Sequence, residues 1–180
     1  METKHLIIRE STFDDCRYFA EWEMSPEITE FFTMDEGRDY EQVVRDFIDS
    51  GHDATKLQFT ITLKPEEVPI GRIIITRIDR KYDSLDITRI YIADPENRNK
   101  GYGEEALRRL LEHVFINMHM ERVTIDHFTK NRAASYLYDK IGFQDEGILR
   151  NAGKKNGKYI DFQLKSMIRS EFLNGNRNIL

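Results

Sequence analysis

The 180-residue sequence predicts an α/β fold: a mixed central sheet of about seven strands with helices on both faces. Three observations carry this expectation. The hydrophobic period changes along the chain in the order strand, two helices, three strands, helix, strand, helix, two strands. The strand–helix–strand unit from about residue 85 to 127 should be a right-handed parallel crossover. No internal repeat, low-complexity tract or linker divides the chain, so residues 1–180 read as one domain with its core over about 6–168.

Leu6-Ile7-Ile8-Arg9 reads as an opening strand. Ser11 and Thr12 stand three residues before Asp14 and Asp15, a capping-box pattern that starts a helix near residue 12. Phe13, Cys16, Phe19 and Ala20 fall on one face of it. A second helix is expected over 38–49, where Tyr40, Val43, Val44, Phe47 and Ile48 recur at i, i+3, i+4, i+7 and i+8. Phe59, Ile61 and Leu63 then alternate with polar residues as a half-buried strand. A turn from Pro65 to Pro69, the strand Ile70–Ile75 and the strand Leu85–Ala93 follow, all three strands antiparallel. A helix begins near Gly101, with Ala106, Leu107, Leu110, Leu111, Val114, Phe115 and Met118 as its apolar stripe. Val123–Ile125 is a strand and 131–141 a helix with Ala134, Leu137, Tyr138 and Ile141 on one side. Strands near 143–150 and 159–168 flank the turn-rich Gly153–Gly157, and the polar tail over 173–180 is expected to fray.

Composition narrows the function. There are 32 acidic and 27 basic residues, a net charge of -5, which argues against a general nucleic-acid binder. Cys16 is the single cysteine, so an internal disulfide and a CxxC metal knuckle are excluded and a reducing, cytoplasmic setting is expected. The five histidines have no spacing that suggests a metal site. Neither a signal peptide nor a run of about 18 apolar residues is present, so no membrane partner is expected.

The chemistry concentrates between the strand ending at Ala93 and the helix starting at Gly101. There Arg98-x-x-Gly101-x-Gly103 places two glycines where backbone can approach a ligand. The helix start offers free N–H groups and the positive end of a dipole, which suits a pyrophosphate, with Arg98 and Lys100 adding charge. A Walker A loop is excluded by the missing Gly-Lys-Ser/Thr ending. A dinucleotide GxGxxG is excluded because the third glycine falls at Ala106.

The run Arg98-Asn99-Lys100-Gly101-Tyr102-Gly103 resembles the acyl-CoA pyrophosphate loop of the GNAT superfamily of N-acetyltransferases, Gln/Arg-x-x-Gly-x-Gly/Ala. A second landmark of that superfamily, an Asn followed by a helix ending in Tyr and Gly-Phe, is matched by Asn131 through Tyr138 to Gly142-Phe143. The Asn156–Asp161 hairpin is similar to the branch of ribosomal-protein N-terminal (alanine/serine) acetyltransferases and spermidine acetyltransferases. The resemblance covers roughly residues 6–168 and implies acetyl-CoA as co-substrate, with no metal. It implies a GNAT-like sheet whose two parallel strands, 85–93 and 122–128, splay around the thioester. The splay should come with a β-bulge, for which Ile92-Ala93-Asp94-Pro95 offers one extra residue.

The resemblance assigns Ile92, Arg98, Asn99, Lys100, Gly101, Tyr102, Gly103, Asn131, Tyr138 and Lys140 to the cofactor. It makes Tyr138 the catalytic proton donor to the leaving thiolate, with Tyr136 the weaker choice because it faces elsewhere on the helix. The general base stays open. The strand carries no Glu between Glu67 and Glu96. Asp86 and Thr88 are expected on one face, Arg89 and Tyr91 on the other, with Asp94 and His127 as further options. The implied acceptor wall, residues 21–41, holds Glu21, Glu23, Glu27, Glu30, Asp35, Glu36, Asp39 and Glu41 against Arg38, a charge pattern that favours a cationic amine. Trp22, Phe31 and Phe32 lie in the same stretch. The leading acceptor is the N-terminal amine of a basic protein, of the ribosomal-protein type. The alternative is spermidine or another small cationic amine, and outside the enzyme class stands an acetyl-CoA-binding sensor. A homodimer is common among such proteins.

Overall fold

The strand periods assemble into one seven-stranded sheet of order β1-β2-β3-β4-β5-β7-β6 in a computed structural model that describes residues 1–33 and 38–177. The strands are β1 (Leu6–Glu10), β2 (Leu57–Leu63), β3 (Val68–Asp79), β4 (Ser84–Ile92), β5 (Arg122–Phe128), β6 (Gln144–Lys155) and β7 (Lys158–Ile168). Every neighbouring pair is antiparallel except β4 and β5, which run parallel as the crossover at 85–127 requires.

A 3-10 turn (Phe13–Asp15) leads into helix α1 (Cys16–Glu23), with Thr12 and Asp15 forming the capping box. The remaining helices are α2 (Pro26–Thr29), α3 (Tyr40–Gly51), α4 (Tyr102–Glu112), α5 (Arg132–Ile141) and α6 (Arg169–Arg177). The short α2 lacks an apolar period long enough to read from sequence; its signal is Pro26 at the first helical position after Ser25. Helix α3 starts two residues later than expected because Asp39 and Gln42 cap it. Within it Val43 is buried, whereas Tyr40 and Ile48 stay exposed. Phe13 is also exposed, since the 3-10 turn rotates it off the α1 face shared by Cys16, Phe19 and Ala20. Residues 169–177 are helical, with Phe172 stacked on Phe115 at 5.0 Å between ring centroids, and the end of the expected tail, 178–180, lies outside the described residues.

The main core lies on one face of the sheet. Ile8, Ile61, Ile73, Ile75, Ile87 and Ile125 meet Leu107, Leu110 and Leu111 of α4 there. A π-helical turn (His113–Asn117) extends α4 and buries Val114 and Phe115. Helices α1 and α3 cover part of the other face, where Phe19 and Val43 pack together and the Arg72 guanidinium lies 3.9 Å from the Phe19 ring centroid.

Candidate active site

Strands β4 and β5 pair only from Ser84–Ile87 to Arg122–Ile125. Beyond Ile87 and Ile125 they part, β4 staying with β3 and β5 with β7. The bulge that accompanies the parting is at Thr88, not at Ile92–Pro95: Ile74 faces Arg89 and Ile75 faces Ile87, leaving Thr88 as the extra residue. That insertion reverses the side-chain alternation. Leu85 and Ile87 face the main core before it, and Ile90 and Ile92 pack against that core after it. Arg89, reaching Glu23, and Tyr91, edge-on to Trp22, therefore come to the side that Asp86 and Thr88 share. The expected division of these four residues between two faces is corrected by this one residue.

Ala93 N–H donates to Ile70 O on β3 at 2.7 Å. By the two-residue alternation of a strand, the N–H groups of Ile90 and Ile92 point the other way, into the open gap. They are donors placed for a carbonyl that enters between the strands.

A cleft of about 470 Å³ runs from this gap to the start of α4. Ile92, Arg98, Asn99, Gly101, Gly103, Asn131 and Tyr138 all line it. Gly101, the N-cap of α4, has φ 87°, and Asn99 has φ 59°, a left-handed pair of positions that turns the loop towards the helix. The N–H groups of Tyr102, Gly103 and Glu104 find no acceptor among the described residues. These amides at the positive end of α4 form a cradle fitted to a pyrophosphate.

Side chains divide differently from backbones here. Arg98 is turned inward: its guanidinium donates to Ile92 O (3.2 Å) and Ala93 O (2.8 Å) and pairs with Glu27 (3.2 Å). It clamps the end of β4 to the loop and to α2. Tyr102 leans on the core with its ring centroid 6.0 Å from that of His5, and its side chain is not in the cleft wall. Lys100 is exposed and also outside the wall. Lys140 lies off the cleft, with its ammonium 2.5 Å from Glu104. Glu104, which sequence reasoning did not place at the site, lines the cleft, and hydrogen bonds from Lys140 and Arg108 lower its carboxyl from the ordinary value.

Asn131 caps α5, its Oδ1 accepting from Ala134 N–H at 3.1 Å. Tyr138, one α5 turn before the left-handed Gly142, is buried between His127 and Phe143, with centroids 5.7 and 5.9 Å away. Burial and the nearby Asp126 push its phenol well above the ordinary value, so it remains protonated. Its hydroxyl has no hydrogen-bond partner among the described residues. Tyr136 is exposed.

A second cleft, about 390 Å³, opens from the same gap and shares Phe31, Phe32, Ile90, Asn131, Ala134 and Tyr138 with the first. Its far wall is the β6–β7 hairpin. Lys155 Nζ donates to Phe32 O at 3.1 Å, and a Cβ on Gly153 would stand 2.8 Å from Thr33 and 2.5 Å from Phe162. Its floor carries Arg77, Thr88, Arg89, Asp126 and His127. His127 Nδ1 lies 2.9 Å from Phe128 O, and its buried Nε2 has no partner.

The acidic stretch 21–41 does not form this wall. Glu23 is fully buried and joined to Arg72 (2.6 Å), Arg38 (2.9 Å) and Arg89 (3.4 Å). Glu27 holds Arg98, Asp39 caps α3, and Glu41 faces Arg45. Glu21 and Glu30 are exposed, and Asp35 and Glu36 lie outside the described residues. Of this stretch Phe31 and Phe32 reach both clefts, while Trp22 anchors α1 against Tyr91.

Among the described residues no group of three or more His, Cys, Asp or Glu could hold a metal ion, and no helix is long and apolar enough to cross a membrane.

Comparison with known proteins follows the same lines. A family model described as acetyltransferase (GNAT) domain matches residues 5–144. The N-acetyltransferase p20 of Bacillus licheniformis is 26% identical over 176 residues, covering 94% of this chain and 96% of its own. The spermidine N(1)-acetyltransferase of Vibrio cholerae is 27% identical over 123 residues, 68% of this chain and 69% of its own. A crystal structure of spermidine N-acetyltransferase from Vibrio cholerae in complex with CoA and spermine shares the fold. Its TM-score is 0.87 at 22% identity, over 96% of this chain and 100% of that one.

Proposed function

The chain belongs to the acetyltransferase (GNAT) domain family, a family of acetyl-CoA-dependent N-acetyltransferases, and from that premise we propose that it acetylates a small cationic amine of the polyamine class by direct transfer. The observation that carries the reading is the meeting of two clefts at one gap, with Tyr138 in the wall of both. One cleft ends in the free amides of Tyr102, Gly103 and Glu104 and suits the diphosphate end of CoA. The other, about 390 Å³, is walled by Phe31, Phe32, Phe128 and Phe162 and carries the Asp126 carboxylate, a setting for an aliphatic amine. The cofactor supplies the acetyl group as a thioester. Ile90 and Ile92 N–H groups would receive its carbonyl oxygen, Asn131 would hold its pantetheine arm, and Tyr138 would protonate the departing sulfur.

The likeness to the Vibrio cholerae spermidine N(1)-acetyltransferase supports a polyamine over the basic protein N-terminus that the motifs alone put first. The acidic stretch 21–41 lends no support to either, since its described carboxylates are paired, capping or outside the acceptor cleft. The test is release of CoA thiol from acetyl-CoA with spermidine, and separately with a basic peptide bearing a free Ser or Ala N-terminus. Turnover on spermidine is the expected result. Turnover on the peptide alone returns the protein N-terminus to first place.

A further inference from the structure

We propose that the Asp126 carboxylate, at the apex of the splay, binds the acceptor ammonium and takes its proton before attack. The inference rests on the reading above for the reaction but not for the identity of the amine. Ile125 is the last β5 residue paired with β4, so Asp126 is the first whose β4 side is open. Its side chain falls with Thr124, on the face opposite the buried Ile125 and His127. It lines the acceptor cleft, and no hydrogen bond or ion pair engages its carboxylate among the described residues. Asp86, by contrast, is already held by Thr124 and Arg77. The acidic residues left open on the strand by sequence are therefore spoken for: Asp86 by those two partners, and Asp94 by the amides of Glu96 and Asn97.

Asp126 and Tyr138 both line the acceptor cleft, and Tyr138 rests on His127, whose side chain lies on the other face of β5. A proton acceptor on the amine side and a proton donor on the sulfur side then flank the reacting carbon. Asp126 takes one proton from the ammonium. The freed nitrogen forms the C–N bond as the C–S bond breaks, and Tyr138 gives its proton to the sulfur. The nitrogen's surplus proton replaces the one lost from Tyr138, and Asp126 releases its own to water, so the sum is amide, CoA thiol and one proton.

An ordinary amine holds its proton far more tightly than an ordinary carboxylate. Two features narrow that gap. Burial and the neighbouring Asp86 push the Asp126 carboxyl up despite Arg77. Arg77 and Arg89 in the same floor disfavour a second cation once the aromatic walls exclude water. The charged and titratable groups facing the cleft are Arg77 and, through it, Asp86, then Arg89, His127 and Tyr138.

The test is the pH dependence of kcat/KM for Asp126→Asn and Asp126→Glu with spermidine and with a panel of simple alkylamines, beside calorimetric binding of acetyl-CoA. Asp126 makes no hydrogen bond or ion pair among the described residues and lines a cleft rather than the core, so both variants should fold. The expected result is a loss of about 100-fold or more at neutral pH in the Asn variant. Its rate should climb with pH as free amine accumulates, Glu should restore part of the rate, and acetyl-CoA binding should stay unchanged. An Asn variant with wild-type rate and profile on spermidine overturns the role of Asp126 and leaves the polyamine reading standing. Wild-type turnover on alkylamines but not spermidine, with the same Asn loss, supports Asp126 and overturns the polyamine reading. Absence of turnover with every amine overturns both.

Discussion

Ile87 on β4 faces Ile125 on β5 as the last pair the two parallel strands share. One residue further, the bulge at Thr88 bends β4 away, and the sheet opens into the gap that both clefts share. The same inserted residue keeps the opened segment anchored, because it turns Ile90 and Ile92 towards the main core. Backbone donors can then face the gap without loosening the strand that carries them.

Tyr138→Phe should separate chemistry from folding. The hydroxyl has no protein hydrogen-bond partner among the described residues, so its removal breaks no protein contact and should change stability by no more than about 1 kcal/mol. The ring still packs between His127 and Phe143. Loss of the proton donor should lower kcat by about 100-fold. Thermal melting, calorimetric acetyl-CoA binding and steady-state rates on one preparation check this; an unchanged kcat would return Tyr138 to a purely structural role.

Gly103→Ala probes the cradle from the ligand side. A Cβ there would meet only Ile92, at 3.9 Å, an ordinary contact, so the protein itself accommodates it. Alanine also improves helix propensity by up to about 1 kcal/mol, so the melting temperature should hold or rise. The methyl group would nonetheless stand where the diphosphate approaches the free amides. We expect the CoA dissociation constant to rise about tenfold or more. Titration with CoA against the bare pantetheine portion, which lacks the diphosphate, localises the loss.

Arg98 distinguishes charge from clamp. Arg98→Lys keeps a cation in the loop but cannot reach both Ile92 O and Ala93 O in the fork that the guanidinium makes. Hydrogen bonds to a charged donor contribute about 1.5–3 kcal/mol, so the end of β4 and the loop should loosen together. The KM for acetyl-CoA should rise about tenfold in both Arg98→Lys and Arg98→Ala. Restoration by Lys alone would show instead that a positive charge at the diphosphate is what matters.

The backbone of the site was legible in the sequence and much of its side-chain chemistry was not. Glycine spacing, the Asn131 cap and the two periodicities around them mark the start of α4 and the whole of α5, because each is a local signal; the gap between β4 and β5 was implied only by the family resemblance. Arg98, Lys100 and Lys140 look like phosphate ligands in a linear reading. In three dimensions the nearest unmet needs of the first and last are a strand's carbonyls and Glu104. The eight acids of 21–41 count as one patch only along the chain. Folding sends Glu23 inward to three arginines that come from β3, β4 and the stretch before α3. Asp126 escaped notice for the converse reason: nothing in its neighbourhood marks it until β4 leaves its side. The Thr88 bulge has no compositional signature either, and it moved two residues to the opposite face.

The hairpin that closes the acceptor cleft should carry an acid-sensitive latch. Glu146 on β6 accepts two hydrogen bonds from Arg122 on β5, at 2.7 and 2.5 Å, and one from Ser166 on β7 at 2.6 Å. Those contacts hold its carboxyl down at about 2, against an ordinary 4.5. A carboxyl depressed in the folded state stabilises fully above its unfolded value and loses that contribution as pH falls through the folded one. The wild-type melting temperature should therefore drop between pH 4.5 and about 2 in part through this group. Glu146→Gln should melt lower than wild type at pH 7, and the difference should shrink steadily as pH is lowered through that window. Because the pair is partly solvent-exposed, high salt should also narrow the difference at pH 7. A gap between the two melting curves that stays constant with pH would remove Glu146 from the acid response and leave it to other paired carboxylates such as Asp15, which Arg9, the Thr12 amide and Thr60 hold below the ordinary value against its burial.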